Sequence, residues 1–291
     1  MSTNGTILLT GGTGKVSSRI ASLLSANGNP TLIASRSGTT PALTHCRGVK
    51  FDWYDPDTWT IAFSNTSITA AFLVAPPDPD CAPPVNKFID FAIDRGVKRF
   101  VLLSASLLPV EDGPMMSQIS KYLLTLKVEY AILRPTWFME NFSEVQHQPS
   151  IQNEDRIVTA TGKGKVPFVA ASDIAAVGFH ALTDEVPHNT DHVILGPELL
   201  SYSDVAALLT NKLNRKITHV SISEEEIVTI FSSIGLAPDL VKALAAMETA
   251  IRGGAEERLN DAVLKVTGKK PKTLEAFVDE VMGTGVWEKK A

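Results

Sequence analysis

The chain has 291 residues and a formal net charge of −5, and no stretch of it is densely basic, so its composition implies neither nucleic acid nor an anionic membrane surface as a partner. It contains no run of about 18 apolar residues and no signal-peptide pattern, and we therefore expect a cytoplasmic protein without a membrane partner. Its two cysteines are too few for a disulfide framework and its six histidines lack metal-ligand spacing, so we predict no metal site.

The first predicted element is a strand, a tight turn and a helix over residues 6–24. Apolar residues from Ile7 onward lead into Gly11 and Gly14, and apolar residues at helical spacing follow. Gly11 permits a sharp turn, and Gly14 leaves room for a pyrophosphate at the N-terminus of the helix, where N–H groups and the dipole favour anions. Ser17 stands in place of a third glycine and is small enough for the helix to pack closely on the strand. The predicted cofactor contacts of this turn are Gly11, Thr13, Gly14, Lys15 and Val16.

The second predicted strand, residues 31–36, ends in Ser35 and Arg36, and Ser37 follows it. An NAD site typically carries Asp or Glu at this point to bind the ribose hydroxyls. An arginine flanked by two hydroxyls instead favours a 2′-phosphate, and the predicted cofactor is therefore NADPH/NADP+. The alternative is a solvated arginine in an ordinary β–α loop.

A third strand is predicted over residues 49–53, and its acidic-aromatic end makes Asp52 and Trp53 candidates for the wall of an adenine pocket. Edge packing is an equal alternative for Trp53. The next predicted strand, residues 70–75, is continuously apolar, as is typical of a buried parallel strand. Because ligands bind outside the carboxyl ends of such strands, Pro76 is a predicted cofactor contact and Pro77 a predicted substrate contact.

Helices and strands keep alternating as far as residue 135, with a helix over 84–96, a strand over 99–106, a helix over 116–126 and a strand over 130–135. Short connections and apolar strands predict an α/β fold, a Rossmann-type doubly wound parallel sheet with helices on both faces. We assign residues 1–150 to an NADP-binding domain. Residues 151–291 are predicted to form a smaller, mainly helical substrate-binding region, partly interleaved with the sheet, because a cofactor domain alone leaves half of its crevice open.

Two further motifs follow. Residues 134–141 read Arg-Pro-Thr-Trp-Phe-Met-Glu-Asn, and the sequence Pro-Phe-Val at 167–169 is followed by Asp-Ile-Ala at 173–175. Together with the loop 10–14 and the strand end at Arg36, they make the chain similar to the NmrA-like group of atypical short-chain dehydrogenases/reductases. Within that group it most resembles the fungal ergot-alkaloid clavine dehydrogenases. The resemblance implies an extended Rossmann fold, NADPH as hydride donor, and a substrate site between the nucleotide domain and the C-terminal part.

The chain departs from typical short-chain dehydrogenases at the proton donor. Those enzymes place Tyr-x-x-x-Lys on the helix after the fifth strand, whereas here Leu126 lies four residues after Tyr122. No catalytic residue is therefore certain, and the candidates are Ser104 and Tyr122. Ser104 and Pro135 are also predicted to contact the cofactor, as is Lys121, for which a solvated surface position is the favoured alternative.

The missing donor favours a particular substrate chemistry. Reduction of a neutral ketone builds charge on oxygen and normally needs an acid or an oxyanion stabiliser. An iminium already carries the charge that reduction neutralises, so orientation of the reactants can suffice. We therefore predict NADPH-dependent reduction of a cyclic iminium in fungal indole (ergot or clavine) alkaloid biosynthesis, with a small aromatic molecule as substrate. The residues predicted to line its site are Pro77, Ser106, Thr136, Trp137, Phe138 and Asn141.

Two other functions fit the same sequence. One is reduction of a quinone or enone, which also makes few demands on a proton donor. The other, of a different class, is a non-catalytic NADP sensor that regulates a partner protein, and it predicts cofactor binding without turnover. Aromatic residues beside the expected nicotinamide position favour an enzyme. The sequence is compatible with a homodimer.

Overall fold

The computed structural model describes residues 5–144, 146–233, 235 and 237–289. They divide into two compact units. The first takes in the described residues up to Arg134 together with Ile174–Val193, and the second takes in Pro135–Asp173 together with the described residues from Ile194 onward. A boundary of folding domains at residue 150 stays a prediction. Across the described ranges, no helix is both long and apolar enough to cross a membrane.

The elements have the following limits. The strands are β1 (Thr6–Leu9), β2 (Thr31–Ser35), β3 (Cys46–Lys50), β4 (Ile68–Val74), β5 (Arg99–Leu103), β6 (Glu129–Pro135), β7 (Arg156–Thr159), β8 (Lys165–Val166), β9 (Thr190–Ile194), β10 (Leu200–Ser201) and β11 (Thr218–Ser221). The helices are α1 (Lys15–Ala26), α2 (Pro56–Phe63), α3 (Ala82–Ile93), α4 (Met116–Thr125), α5 (Gln148–Glu154), α6 (Ala171–Thr183), α7 (Tyr202–Leu213), α8 (Glu224–Ser233), α9 (Pro238–Arg252), α10 (Ala262–Thr267) and α11 (Leu274–Met282).

The first unit is organised by a seven-stranded sheet in the order β3-β2-β1-β4-β5-β6-β9. Adjacent strands from β3 through β6 pair in parallel, and α1 to α4 each connect two of them. The strand order reverses between β1 and β4, and the crevice at the carboxyl ends of such a pair is where open α/β sheets bind ligands. The predicted Rossmann-type doubly wound fold is confirmed.

Element limits differ from the predicted ones where the apolar pattern is weak. β3 begins at Cys46 rather than at residue 49, because this strand at the edge of the sheet is half exposed and shows no continuous apolar run. α3 ends at Ile93, and Gly96, the predicted helix end, lies two residues beyond the Asp94 cap at a φ of 95°.

The second unit has small sheets and an apolar core of its own. β7 pairs with β11 in parallel, and β8 pairs with β10 in antiparallel fashion. α7 begins with a capping box, in which the Ser201 hydroxyl accepts the N–H of Asp204 and the Asp204 carboxylate accepts the N–H of Ser201. The core includes Phe142, Tyr202 and Trp287. Helices α7 to α11 make up most of its later part.

Ser17 links α1 to the end of β1 by a hydrogen bond, so its hydroxyl is expected to contribute to stability. Its side chain is buried, and the hydroxyl donates to the carbonyl oxygen of Thr10 (2.8 Å). We expect Ser17→Ala to lower the free energy of unfolding by about 1 kcal/mol, because the buried carbonyl loses this donor. Urea unfolding measures the change. Ser22→Ala is the control, since that exposed hydroxyl bonds only within α1; equal effects of the two substitutions would contradict this role for Ser17.

Candidate functional site

The turn between β1 and α1 has room only for glycine at two positions. Gly11 has a φ of 57°, and a Cβ placed on it would lie 2.9 Å from Cβ of Val74. A Cβ on Gly12 would lie 2.3 Å from Cγ2 of Ile33. The Thr10 hydroxyl accepts the N–H of Val74 (2.8 Å) and so ties the start of the turn to β4. The backbone is therefore fixed at the carboxyl ends of β1, β2 and β4.

The N-terminus of α1 directly follows this turn. Gly14 is its N-cap in an extended conformation, and a Cβ there would lie 3.0 Å from the carbonyl oxygen of Gly11. No side chain in the described ranges caps this helix end, and its first turn holds no acidic residue. Thr13 is exposed, Lys15 half-buried and Val16 buried. Backbone N–H groups and the helix dipole at such an end favour an anion, so the geometry fits a pyrophosphate.

The segment after β2 forms a turn rich in hydroxyl groups. The N–H of Gly38 donates to the hydroxyl oxygen of Ser35 (3.1 Å), and the hydroxyls of Ser37 and Thr39 lie 2.6 Å apart. Arg36 is exposed, and its side chain has no hydrogen-bond or ion-pair partner among the described residues. The turn therefore presents a fixed set of hydroxyls beside a guanidinium group that is available to a ligand.

Trp53 packs in the core, as its edge-packing alternative describes, and a place in an adenine wall stays a prediction. Its ring packs edge-on against Phe51 and Phe88, at centroid distances of 5.0 and 5.4 Å, and its indole N–H donates to the carbonyl oxygen of Val74 (3.1 Å). Of the two alternatives, the structure supports edge packing. Asp52 is half-buried and accepts the N–H of Tyr54 with its carboxylate (2.9 Å).

The loops that follow β3 and β4 are linked through a residue that the sequence did not single out. Tyr54 is exposed, and its hydroxyl donates to the carboxylate of Asp78 (2.6 Å); this bond raises the pKa of Tyr54 to about 12. The backbone N–H of Asp78 donates to the carbonyl oxygen of Pro76 (2.8 Å). Pro76 is half-buried and Pro77 is exposed. Both prolines therefore lie in a segment whose position is fixed directly after β4.

Ser104 and Ser106 follow β5 and are nearly buried, with exposed fractions of 7% and 5%. The N–H of Ser104 donates to the carbonyl oxygen of Leu133 on β6 (2.7 Å). The carbonyl oxygen of Ser106 accepts a bond from the Arg134 guanidinium (3.2 Å), which also pairs with the carboxylate of Asp191 (2.6 Å). Arg134, part of the 134–141 motif, therefore holds the segment after β5 in place.

Lys121 and Tyr122 line an open groove of about 440 Å³ between α3 and α4. Lys121 forms an ion pair with Asp112 (2.8 Å) and is half exposed, as its surface alternative predicts. The Tyr122 hydroxyl donates to the carboxylate of Asp90, and this bond raises the pKa of Tyr122. Asp90 lies eight residues into α3, about 12 Å along the helix from its start beside the carboxyl edge of the sheet. The same groove is also lined by Asp80 and Ala82 at the start of α3, so Tyr122 as a proton donor and Lys121 as a ribose contact stay predictions.

The predicted residues from the end of β6 onward belong to the second unit. Pro135, the last residue of β6, is buried. Thr136 is 3% exposed, and its hydroxyl oxygen has no hydrogen-bond partner within the part of the chain that the structure describes. Trp137 is half-buried and packs against the apolar core of this unit, while Phe138 and Asn141 are half-buried. The segment thus contains a buried, unpaired hydroxyl and two half-buried aromatic residues.

Glu140 has a structural role that the sequence did not reveal. It is 2% exposed, and both of its carboxylate oxygens accept the N–H of Ala171 at the start of α6 (3.0 and 2.9 Å). A carboxylate at this position stabilises the helix by satisfying a terminal N–H and complementing the dipole. The acidic residue of the 134–141 motif is therefore explained by helix capping.

The first unit brings most of the predicted cofactor contacts to one edge of its sheet, at the carboxyl ends of β1, β2, β4 and β5. They are Gly11, Thr13, Gly14, Lys15, Val16, Ser35, Arg36, Ser37, Pro76 and Ser104. Across the described ranges, no group of three or more His, Cys, Asp or Glu side chains could hold a metal ion.

Comparison with known proteins identifies the family to which this chain belongs. The profile of the NmrA-like family matches residues 3–278. Festuclavine synthase I of Penicillium roqueforti is 44% identical over 94% of this chain and 97% of its own length, and agroclavine dehydrogenase of Claviceps fusiformis is 43% identical over 97% and 98%. The solved NADPH complex of an NADPH-dependent quinone oxidoreductase from Escherichia coli shares the fold, with a TM-score of 0.77 at 21% identity over 95% of this chain and 99% of that one. The chain belongs to the NmrA-like family, as its sequence motifs indicate.

Proposed function

We propose that this protein is an NADPH-dependent reductase of a cyclic iminium in an indole-derived alkaloid of the ergot or clavine type. The observation that carries the proposal is the combination of a glycine turn at the start of α1 with an unpaired Arg36 at the end of β2. The names of the festuclavine and agroclavine relatives, at 43–44% identity over nearly the whole chain, support the substrate class.

The residues of the first unit fit the cofactor in three places. The turn from Gly11 to Gly14 and the start of α1 would hold the pyrophosphate. Arg36 would bind the 2′-phosphate as a fork of N–H donors, with Ser35 and Ser37 beside it. Pro76 and Ser104 would border the nicotinamide end. When bound, NADPH supplies hydride.

The engagement of the two α4 candidates by carboxylates is the observation that favours an iminium over a ketone. The Tyr122 hydroxyl is engaged by Asp90, and Lys121 is engaged by Asp112. A C=N⁺ group becomes a neutral amine on reduction and needs no proton from the protein, whereas a ketone develops negative charge that an acid must meet. The half-buried rings of Trp137 and Phe138 would attract a cationic aromatic substrate, since the face of an aromatic ring is electron-rich.

Substitution of Tyr122 tests the acid-free chemistry. We expect Tyr122→Phe to keep the rate of iminium reduction within about two-fold of wild type, because a true general acid contributes about 100-fold or more. The measurement is NADPH oxidation under saturating substrate, over a range of pH. A loss of about 100-fold, with the NADPH dissociation constant unchanged, would identify Tyr122 as the donor and contradict the proposal.

A panel of substrates tests the proposed reaction. NADPH oxidation is followed at the nicotinamide absorbance with an indole-derived cyclic iminium, a quinone and a plain ketone under one condition. We expect turnover with the iminium alone. Turnover of the quinone would favour the quinone or enone reductase, which the missing acid also permits, and tight NADPH binding without any turnover would favour an NADP-sensing regulator.

A further inference from the structure

Lys50 lies beside the turn that carries Arg36. It is the last residue of β3, and its register partner on β2 is Ser35. The N–H of Phe51 donates to the carbonyl oxygen of Ser35 (2.9 Å), and a Cβ placed on Gly38 would lie 3.0 Å from the backbone nitrogen of Lys50. The turn after β2 therefore packs directly on the backbone of Lys50.

Strand alternation determines the face from which Lys50 projects. Val49 packs against the apolar core that includes its register partner Ala34. Side chains of successive strand residues point to opposite faces, so Lys50 projects from the other face, together with Ser35. Ile33 shares that face, and its Cγ2 is the atom that a Cβ on Gly12 would meet at 2.3 Å. Lys50 therefore projects from the face of the sheet that carries the glycine turn.

The side chain of Lys50 is also available to a ligand. It is exposed and, like Arg36, has no hydrogen-bond or ion-pair partner among the described residues. The arginine on the same strand differs, because Arg47 bonds to the Thr66 hydroxyl. Two unpaired cations thus stand at the carboxyl ends of neighbouring strands, beside the hydroxyls of the turn after β2.

We infer that Lys50 is a second cation of the 2′-phosphate site and helps to select NADPH over NADH. Arg36 supplies a planar fork of donors, while the Lys50 ammonium supplies a flexible point charge on the side of the turn next to β3. Both groups act on the one phosphate that distinguishes the two cofactors. This inference rests on the proposed function, since it needs NADPH to bind at the glycine turn.

The test measures dissociation constants for NADPH and NADH by fluorescence titration of the full chain. We expect Lys50→Ala to weaken NADPH binding about five-fold and to leave NADH binding unchanged, and Lys50→Arg to restore NADPH binding. Lys98→Ala is the matched control, because Lys98 is also exposed and its side chain has no hydrogen-bond or ion-pair partner among the described residues, but it lies before β5, at the amino edge of the sheet. It should change neither constant.

Three outcomes would overturn the inference. If Lys50→Ala bound NADPH as tightly as the wild type, the role of Lys50 would be wrong, but the proposed function would not be affected. Equal weakening of NADPH and NADH would also overturn the inference, because the effect would then not depend on the 2′-phosphate. A wild-type chain that binds neither nucleotide would overturn the proposed function and this inference together.

Discussion

Replacing Arg36 with alanine is expected to weaken NADPH binding about 100-fold while NADH binding changes less than about two-fold. The guanidinium is exposed and unpaired within the described part of the chain, so no internal hydrogen bond or ion pair is lost and the fold should be unaffected. A charge-assisted bond contributes about 1.5–3 kcal/mol, or roughly 10- to 150-fold in affinity, and the two-bond fork of the guanidinium puts the expected factor in the upper part of that range. Titration of each nucleotide into the variant and the wild type measures the two dissociation constants.

Arg36→Lys separates charge from geometry. It keeps one positive charge but loses the planar fork, so we expect NADPH binding between that of the wild type and that of Arg36→Ala. Raising the salt concentration should weaken NADPH binding to the wild type more than to Arg36→Ala, because the interaction is between charges. Equal losses for NADPH and NADH in Arg36→Ala would refute the assignment of a 2′-phosphate site.

The second large effect concerns Glu248, a buried carboxyl group on α9 with no exposed surface. One of its oxygens accepts the N–H of Ala160 (2.6 Å), and the other has no hydrogen-bond partner in the described residues. Burial raises the pKa of Glu248 from 4.5 to about 7, and the bond to Ala160 opposes this shift. Above pH 7 the protein must therefore hold a negative charge in an apolar environment.

The raised pKa makes the protein less stable as the pH rises. Below pH 4.5 the group is neutral in both states; above it the unfolded chain ionises first, and the folded state loses stability until the pH passes about 7. The full loss is about 3 kcal/mol, since each pKa unit corresponds to about 1.4 kcal/mol. Part of this loss has already occurred at pH 5, so we expect Glu248→Gln, whose amide oxygen still accepts from Ala160, to gain about 2.5 kcal/mol near pH 8 relative to its effect near pH 5.

Urea unfolding of wild type and Glu248→Gln near pH 5 and near pH 8 measures this difference. Glu185→Gln is the control, because the Glu185 side chain is exposed and has no hydrogen-bond or ion-pair partner among the described residues. It should show no such dependence. A stability difference between Glu248→Gln and the wild type that is the same at both pH values would contradict the raised pKa.

The parts of the fold that the sequence predicts are those with a strong local pattern. The apolar runs of β4 and β5 and the glycine turn before α1 each determine their structure within a few residues, and all three were placed correctly. The residues for which the sequence leaves two roles open depend on distant partners. Trp53 is in the core because Phe88 and the carbonyl oxygen of Val74 meet it there, and no local pattern distinguishes such a ring from a ligand wall.

The roles of the polar residues of the 134–141 motif also could not be predicted from local sequence. Glu140 caps a helix that begins 31 residues later, and Arg134 pairs with Asp191, which is 57 residues away. For Tyr122 the spacing on α4 excluded a Tyr-Lys pair, but only packing against α3 shows that its hydroxyl is engaged by Asp90. A sequence identifies such residues as noteworthy, whereas tertiary contacts decide whether their role is structural or chemical.

Isotope transfer tests the proposed reaction most directly. The protein is incubated with an indole-derived cyclic iminium and NADPH that carries deuterium in place of the transferred hydrogen, and the product is analysed by mass spectrometry. We expect an amine that contains one deuterium, formed at a similar rate by the wild type and Tyr122→Phe and more slowly by Arg36→Ala at limiting NADPH. Bound NADPH with no amine formed, or an amine without deuterium, would contradict hydride transfer to an iminium.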